Sequence, residues 1–91
     1  MLHQPFRSRV MGIVRRIAAG ETLSYAEVAR RAGSARAARA VGAILKTNYD
    51  ADIPCHRVIR SDGTLGDYNR GAEQKHALLQ REGAIRSAIA V

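Results

Sequence analysis

Ser24-Tyr25-Ala26-Glu27-Val28-Ala29-Arg30-Arg31-Ala32-Gly33-Ser34-Ala35-Arg36-Ala37-Ala38-Arg39-Ala40-Val41-Gly42-Ala43-Ile44-Leu45-Lys46 is the stretch that decides the fold. Its first four residues read as a capping box: the Ser24 hydroxyl accepts from the Glu27 backbone N–H while the Glu27 carboxylate reaches back to the Ser24 N–H. A helix is therefore expected from Tyr25 to near Gly33. Ser34 is placed to cap a second one through Arg36 to Lys46, ending around Asn48. Two short helices joined through Ala32-Gly33-Ser34 have the spacing of a helix-turn-helix.

Upstream, Phe6, Val10, Ile13, Val14 and Ile17 form the apolar stripe of an amphipathic helix that Gly20 stops. Downstream, Tyr49 to Pro54 reads as a loop. Arg57-Val58-Ile59, the turn Ser61-Asp62-Gly63-Thr64 and Leu65-Gly66 read as a short β-hairpin, which after a helix-turn-helix is a wing. Ala72 to Arg81 is a further helix ended by Gly83. Ile85 and Ile89 leave the last eight residues as a short helix or a frayed end.

With 91 residues there is room for one domain, and 46% apolar with 25% charged residues is the balance of a globular chain. No apolar run is long enough to span a bilayer and the start lacks a charged region followed by an apolar one, so a soluble, cytoplasmic protein without membrane contact is expected. The single cysteine, Cys55, cannot form an intramolecular disulfide and has too few neighbours for a zinc site. A free thiol with no metal and no cofactor is expected. The net charge of +7 points to a polyanionic partner. It is concentrated between residues 28 and 49, where Arg30, Arg31, Arg36, Arg39 and Lys46 face no acid. The fold class is thus expected to be mainly α with a short β-hairpin, a winged helix-turn-helix DNA-binding domain.

The helix after the turn departs from a major-groove reader, which presents long polar side chains to base edges. Ala37, Ala38, Ala40 and Gly42 surround a single long cation, Arg39. Small residues let a backbone approach DNA closely, and one Arg on such a face suits the minor groove or the base stack. Alanines also simply favour helix and pack against a core.

Chemistry centres on Pro54-Cys55-His56-Arg57-Val58. The imidazole and the guanidinium beside Cys55 each favour thiolate, and Pro54 stiffens the backbone before the sulfur. Neighbouring side chains of an extended chain point to opposite sides, so a bridging water is one route for a proton between Cys55 and His56. A carboxylate is needed to orient the imidazole, and Glu73 and Glu82 are both available.

These residues resemble the C-terminal, DNA-binding and active-site domain of the O6-alkylguanine-DNA alkyltransferases, the methylated-DNA–protein-cysteine methyltransferases. The resemblance runs from Phe6 to Gly83. Pro54 to Val58 is its most specific part, and Arg39-Ala40-Val41-Gly42, Asn48, Gly66-Asp67-Tyr68 and Glu82-Gly83 follow the family's order with near-matching spacing. It implies a single-turnover methyltransferase that moves a methyl or alkyl group from O6-alkylguanine, and by extension O4-alkylthymine, irreversibly onto Cys55 after base flipping.

Roles follow by the same resemblance. His56 takes the thiol proton through a water and Glu82 holds the imidazole. Asn48 is the hinge between recognition helix and active-site strand. Tyr25 presses a DNA phosphate, helps rotate the nucleotide and donates to guanine N3. Arg39 fills the vacated place in the stack, on a face made by Ala37, Ala38, Ala40 and Gly42. The carbonyls of Cys55 and Val58 accept from the guanine amine, Tyr68 and the backbone N–H of Asn69 favour the departing O6, and Pro54 completes the base pocket. The implied partner is double-stranded DNA containing O6-alkylguanine, bound by a monomer. A base inside a duplex must be flipped out before such chemistry, at a cost of a few kcal/mol.

The family usually carries an additional N-terminal domain, and the expectation for residues 1–91 is the C-terminal type alone. Position 69 is Asn where the family often has a small hydroxyl or a bulky residue, which matters little if only its backbone is used. The alternative is an alkyltransferase-like lesion sensor that recruits excision-repair proteins; such relatives typically have Trp where this chain has Cys55. A winged-helix transcription regulator would need a more polar recognition helix and a dimerisation element.

Overall fold

The computed structural model describes residues 5–66 and 68–85. Within them lie α1 (Phe6–Arg15), β1 (Leu23–Ser24), α2 (Tyr25–Arg31), α3 (Ala38–Lys46), one 3-10 turn (Cys55–Arg57), β2 (Val58–Ile59) and α4 (Ala72–Arg81). The mainly helical, winged-helix-like class expected from the sequence is the fold observed. His3 and the end of the chain with Ile89 lie outside the described residues.

The α1 stripe buries Val10 and Val14 completely, with Ile17 just past the helix. Arg9 Nε donates to the Ala32 carbonyl at 2.7 Å and ties α1 to the end of α2. Half of the capping box is present: Ser24 Oγ accepts from the Glu27 N–H at 2.9 Å. The Glu27 carboxylate pairs instead with Arg30 and Arg31 at 2.6 and 2.7 Å, charged donors that outcompete a backbone amide. Gly33, at φ +98°, ends α2, and the Ser34 N–H returns to the Ala29 carbonyl.

That ending displaces the start of α3. Ser34, expected as its cap, is used in closing α2, and its carbonyl accepts from Ala37 N–H at 3.0 Å. Ala37 precedes the helix without a side-chain cap, and α3 runs from Ala38 with Val41 and Leu45 inward. Spacing at i, i+4 puts these two on one face.

The expected hairpin is replaced by a different pairing. β2 lies parallel to β1, with Leu23 opposite Val58 and Ser24 opposite Ile59. Residues 60–64 form a tight turn in which Arg60 N–H bonds to Thr64 O at 2.9 Å and Asp62 Oδ1 accepts from Thr64. Val58 is fully buried, and the ladder to Leu23 holds it in the core. Gly66, at φ +75°, turns the returning chain toward the Tyr25 ring rather than along β2.

α4 closes the structure with Leu79 in the core and ends at Gly83, φ +80°, where Ala84 N–H returns to Leu79 O. Among the described residues no helix is long and apolar enough to cross a membrane.

Candidate active site around Cys55

Cys55 opens the 3-10 turn that feeds β2, so its neighbours are not in extended chain as the sequence reading assumed. The turn is held by Cys55 N–H to Ile53 O at 2.8 Å and Arg57 N–H to Pro54 O at 3.0 Å. Cys55 is 6% exposed and packs with Val10, Val14, Val41 and Val58 in one apolar cluster. Asn48, just past α3, donates its side-chain amide to Cys55 Sγ at 2.9 Å. Its other atoms tie the loop: Oδ1 accepts from Asp50 N–H at 3.2 Å. Burial pushes the Cys55 thiol up, while the Asn48 amide, Arg70 and Lys75 pull it back down. A thiol in that balance needs a base to react.

His56 is buried, and its Nε2 lies 2.9 Å from Glu82 Oε2. Of the two carboxylates left open by the sequence, Glu82 makes this contact, while Glu73 is exposed in the first turn of α4. Arg57 does not turn toward the sulfur as its position beside Cys55 suggested. Its guanidinium takes both oxygens of Glu82, at 2.9 and 2.7 Å, and donates to the Ile17 carbonyl at 2.7 Å. The carbonyl ends of α1 and α4 meet there, and a cation is favoured at such ends. Arg57, burial working against it, and His56 together hold the Glu82 carboxyl at about 2.

A cavity of about 460 Å³ opens over Cys55, within the size range of small-molecule sites. Tyr25, Ala38, Arg39, Gly42, Cys55, Tyr68 and Asn69 line it together. Tyr25 stands at the first turn of α2 between two glycines. A Cβ on Gly66 would come within 3.2 Å of its Cε2 and hydroxyl, and one on Gly42 within 3.9 Å of its ring. A second cavity of about 140 Å³ touches Cys55 and His56 together, with Tyr68 at its edge. The His56 and Tyr68 rings meet edge to face at 6.4 Å.

Other expected residues lie elsewhere. Ala37 packs against the core before α3, and Ala40 is exposed away from the cavity lining. Val58 is completely buried and borders none of these cavities, and its carbonyl is taken by Lys75. Arg39 is exposed at the cavity rim.

Lys75, Arg70 and the side-chain role of Asn69 escaped the sequence reading. Lys75 of α4 is completely buried, with Nζ 2.6 Å from the Val58 carbonyl oxygen, 3.4 Å from the Tyr25 hydroxyl and 5.5 Å from the centre of its ring. The available signal was its place one turn before Leu79, on the inward face of the helix. The Asn69 side chain, set aside in favour of its backbone, donates to the carbonyls of Lys46 and Asn48. Arg70 donates to Tyr49 O at 3.1 Å, so residues 69–70 clasp the chain leaving α3. These last bonds end on backbone carbonyls and leave no pattern in a sequence.

Residues 5–84 match the family model described as the 6-O-methylguanine DNA methyltransferase, DNA binding domain. A methylated-DNA–protein-cysteine methyltransferase of Methanothermobacter thermautotrophicus is 46% identical over 78 residues, covering 86% of this chain and 44% of the relative. The Mus musculus protein of that name is 50% identical over 66 residues, covering 70% of this chain and 31% of its own length. The chain thus spans less than half of these curated relatives. Among solved structures, Mycobacterium tuberculosis OGT in complex with DNA superposes with a TM-score of 0.82 at 41% identity, over 89% of this chain and 50% of that one. S. pombe Atl1, in complex with damaged DNA containing O6-carboxymethylguanine, gives 0.80 at 34%, over 91% of this chain and 80% of that one. With its match running from Pro5 through the Cys55 site to Ala84, this chain belongs to the 6-O-methylguanine DNA methyltransferase family, matching the family's DNA-binding domain.

Proposed function

We propose that this chain is the family's C-terminal, active-site type of domain and that it reverses O6-alkylation of guanine in double-stranded DNA by taking the alkyl group onto Cys55. The observation that carries the reading is Cys55 bonded to Asn48 and followed by the His56–Glu82 pair, with Cys55 itself lining a cavity that Arg39 also borders. Cys55 gives its proton to His56 through water, and the thiolate attacks the alkyl carbon. The carbon–oxygen bond breaks with its electrons passing into the base, where a donor such as the Tyr25 hydroxyl supplies a proton to N3. The product is a thioether on Cys55, so each molecule acts once.

The same reading gives the DNA side its logic. Ala38 and Gly42 let α3 lie close to DNA while Arg39 reaches into the stack vacated by the flipped nucleotide. Tyr68 and Asn69, which line the same cavity as Cys55, favour the departing O6.

A second reading is supported by the likeness to Atl1 over most of that protein's length: a lesion sensor that recruits excision repair and transfers nothing. Intact mass after incubation with a duplex carrying one O6-methylguanine separates the two. Transfer adds one CH2 to the peptide containing Cys55 and is abolished in Cys55→Ala, which still binds the lesion. An unchanged mass with lesion-selective binding establishes the sensor.

A further inference from the structure

Arg57 is held at three points and has no part in the chemistry just described. It is anchored at one end on the neutral Ile17 carbonyl, 2.7 Å from Nη1, and grips Glu82 with Nε and Nη2 at 2.9 and 2.7 Å. Glu82 Oε2 is shared between Arg57 Nη2 and His56 Nε2. Both members of the ion pair are less than a fifth exposed, at 18% and 16%.

We propose that Arg57 is the positioning residue of this site: its two-point grip fixes the Glu82 carboxylate so that His56 carries its ring proton on Nε2 and presents Nδ1 as the acceptor. The inference rests on the transfer reading for its kinetic consequence only. A carboxylate on a two-carbon stem at the end of a helix turns freely when one hydrogen bond holds it. Two parallel bonds from a planar guanidinium fix its plane as well as its place, and the guanidinium is itself fixed by Ile17. The grip also keeps Glu82 ionised, consistent with the low value of its carboxyl group. An ionised carboxylate only accepts, so a neutral imidazole facing it through Nε2 must carry the proton there. Nδ1 is then the only ring nitrogen able to take a proton from the thiol. A lysine at position 57 keeps the charge but offers a point donor in place of the fork.

The test combines long-range proton–nitrogen spectra of the 15N-labelled chain, at a pH where His56 is neutral, with single-turnover transfer from a duplex containing one O6-methylguanine. The wild-type chain is expected to show the Nε2–H tautomer alone. Arg57→Lys and Arg57→Gln are expected to show mixed tautomers, lesion binding unchanged, and transfer slowed about tenfold or more, within the range that general bases contribute. Glu82→Gln is expected to mix the tautomers as Arg57→Gln does, and the double variant to add nothing to either. Retention of the Nε2–H tautomer in both Arg57 variants overturns the proposal, and a lowered melting temperature with that tautomer intact does so too, since it marks a mere brace between α1 and α4. A wild-type chain that transfers nothing overturns the transfer reading, and the nitrogen spectra still decide the role of Arg57.

Discussion

Lys75 places its ammonium 2.6 Å from the Val58 carbonyl oxygen and exposes none of its own surface. A buried cation is tolerated only where its donors are used, and here one carbonyl, one phenol and one aromatic face receive it. Lys75→Ala is expected to destabilise the chain by about 2–4 kcal/mol, because it opens a void and strands the Val58 carbonyl. Lys75→Met keeps the stem volume and should lose less. Urea denaturation of the three proteins orders them.

Glu82 links stability to pH. Its carboxyl falls from 4.5 to about 2 in the folded chain, chiefly through Arg57. A lowered acid contributes stability that is complete above the unfolded value and is lost as pH falls through the folded one. The wild-type chain should therefore weaken between pH 4.5 and about 2. Glu82→Gln should be less stable at neutral pH by about 1.5–3 kcal/mol, the range for hydrogen bonds to charged groups. The two proteins should converge at the acid end, which melting curves across that window would check.

Asn48 lowers the Cys55 thiol against the effect of burial. Asn48→Ala removes the amide from Sγ and should move the pH profile of iodoacetamide alkylation upward, with transfer to Cys55 slowed. Stability should fall by about 1 kcal/mol, the net worth of an ordinary hydrogen bond. An unshifted alkylation profile would show that the amide does not tune the sulfur.

Gly66 answers two demands at once, a φ of +75° and the Tyr25 ring 3.2 Å from where a Cβ would stand. Gly66→Ala is expected to cost about 1–3 kcal/mol and to push Tyr25 into the cavity over Cys55. Affinity for an O6-methylguanine duplex should fall more than affinity for undamaged DNA. Equal losses would place the effect in folding alone.

Arg39 and Arg60 both border the cavity and should differ in their salt signature. Arg60→Ala is expected to lower the slope of log affinity against log salt by about 0.9, the contribution of one phosphate contact, if Arg60 meets the DNA backbone. Arg39→Ala, if its side chain fills the base stack, should lower lesion selectivity and leave the slope nearly as it was. Binding isotherms at several salt concentrations distinguish the two roles.

The local elements were legible because they depend on neighbours in the chain. The stripe from Phe6 to Ile17, the Ser24 cap, and the glycines at 33 and 83 each act within one or two helical turns. The motif around Cys55 was legible as a set of residue types, and Asn48 and Glu82 stood in register with it. Side-chain direction was not. Arg57 follows Cys55 by two positions, yet the 3-10 turn sends it to the place where α1 and α4 end.

What the sequence determined by itself was therefore the helices, their order and the single thiol within its Pro-Cys-His-Arg motif. Tertiary structure decided that β2 would pair in parallel with β1, that Lys75 would lie buried under Tyr25, and that Asn69 would clasp the end of α3. Helix signals are read from residues three or four apart. Those three contacts join residues 35, 50 and 23 positions apart. Their partners are brought together by the tertiary packing, and all three end on backbone or phenol atoms that leave no trace in residue pattern.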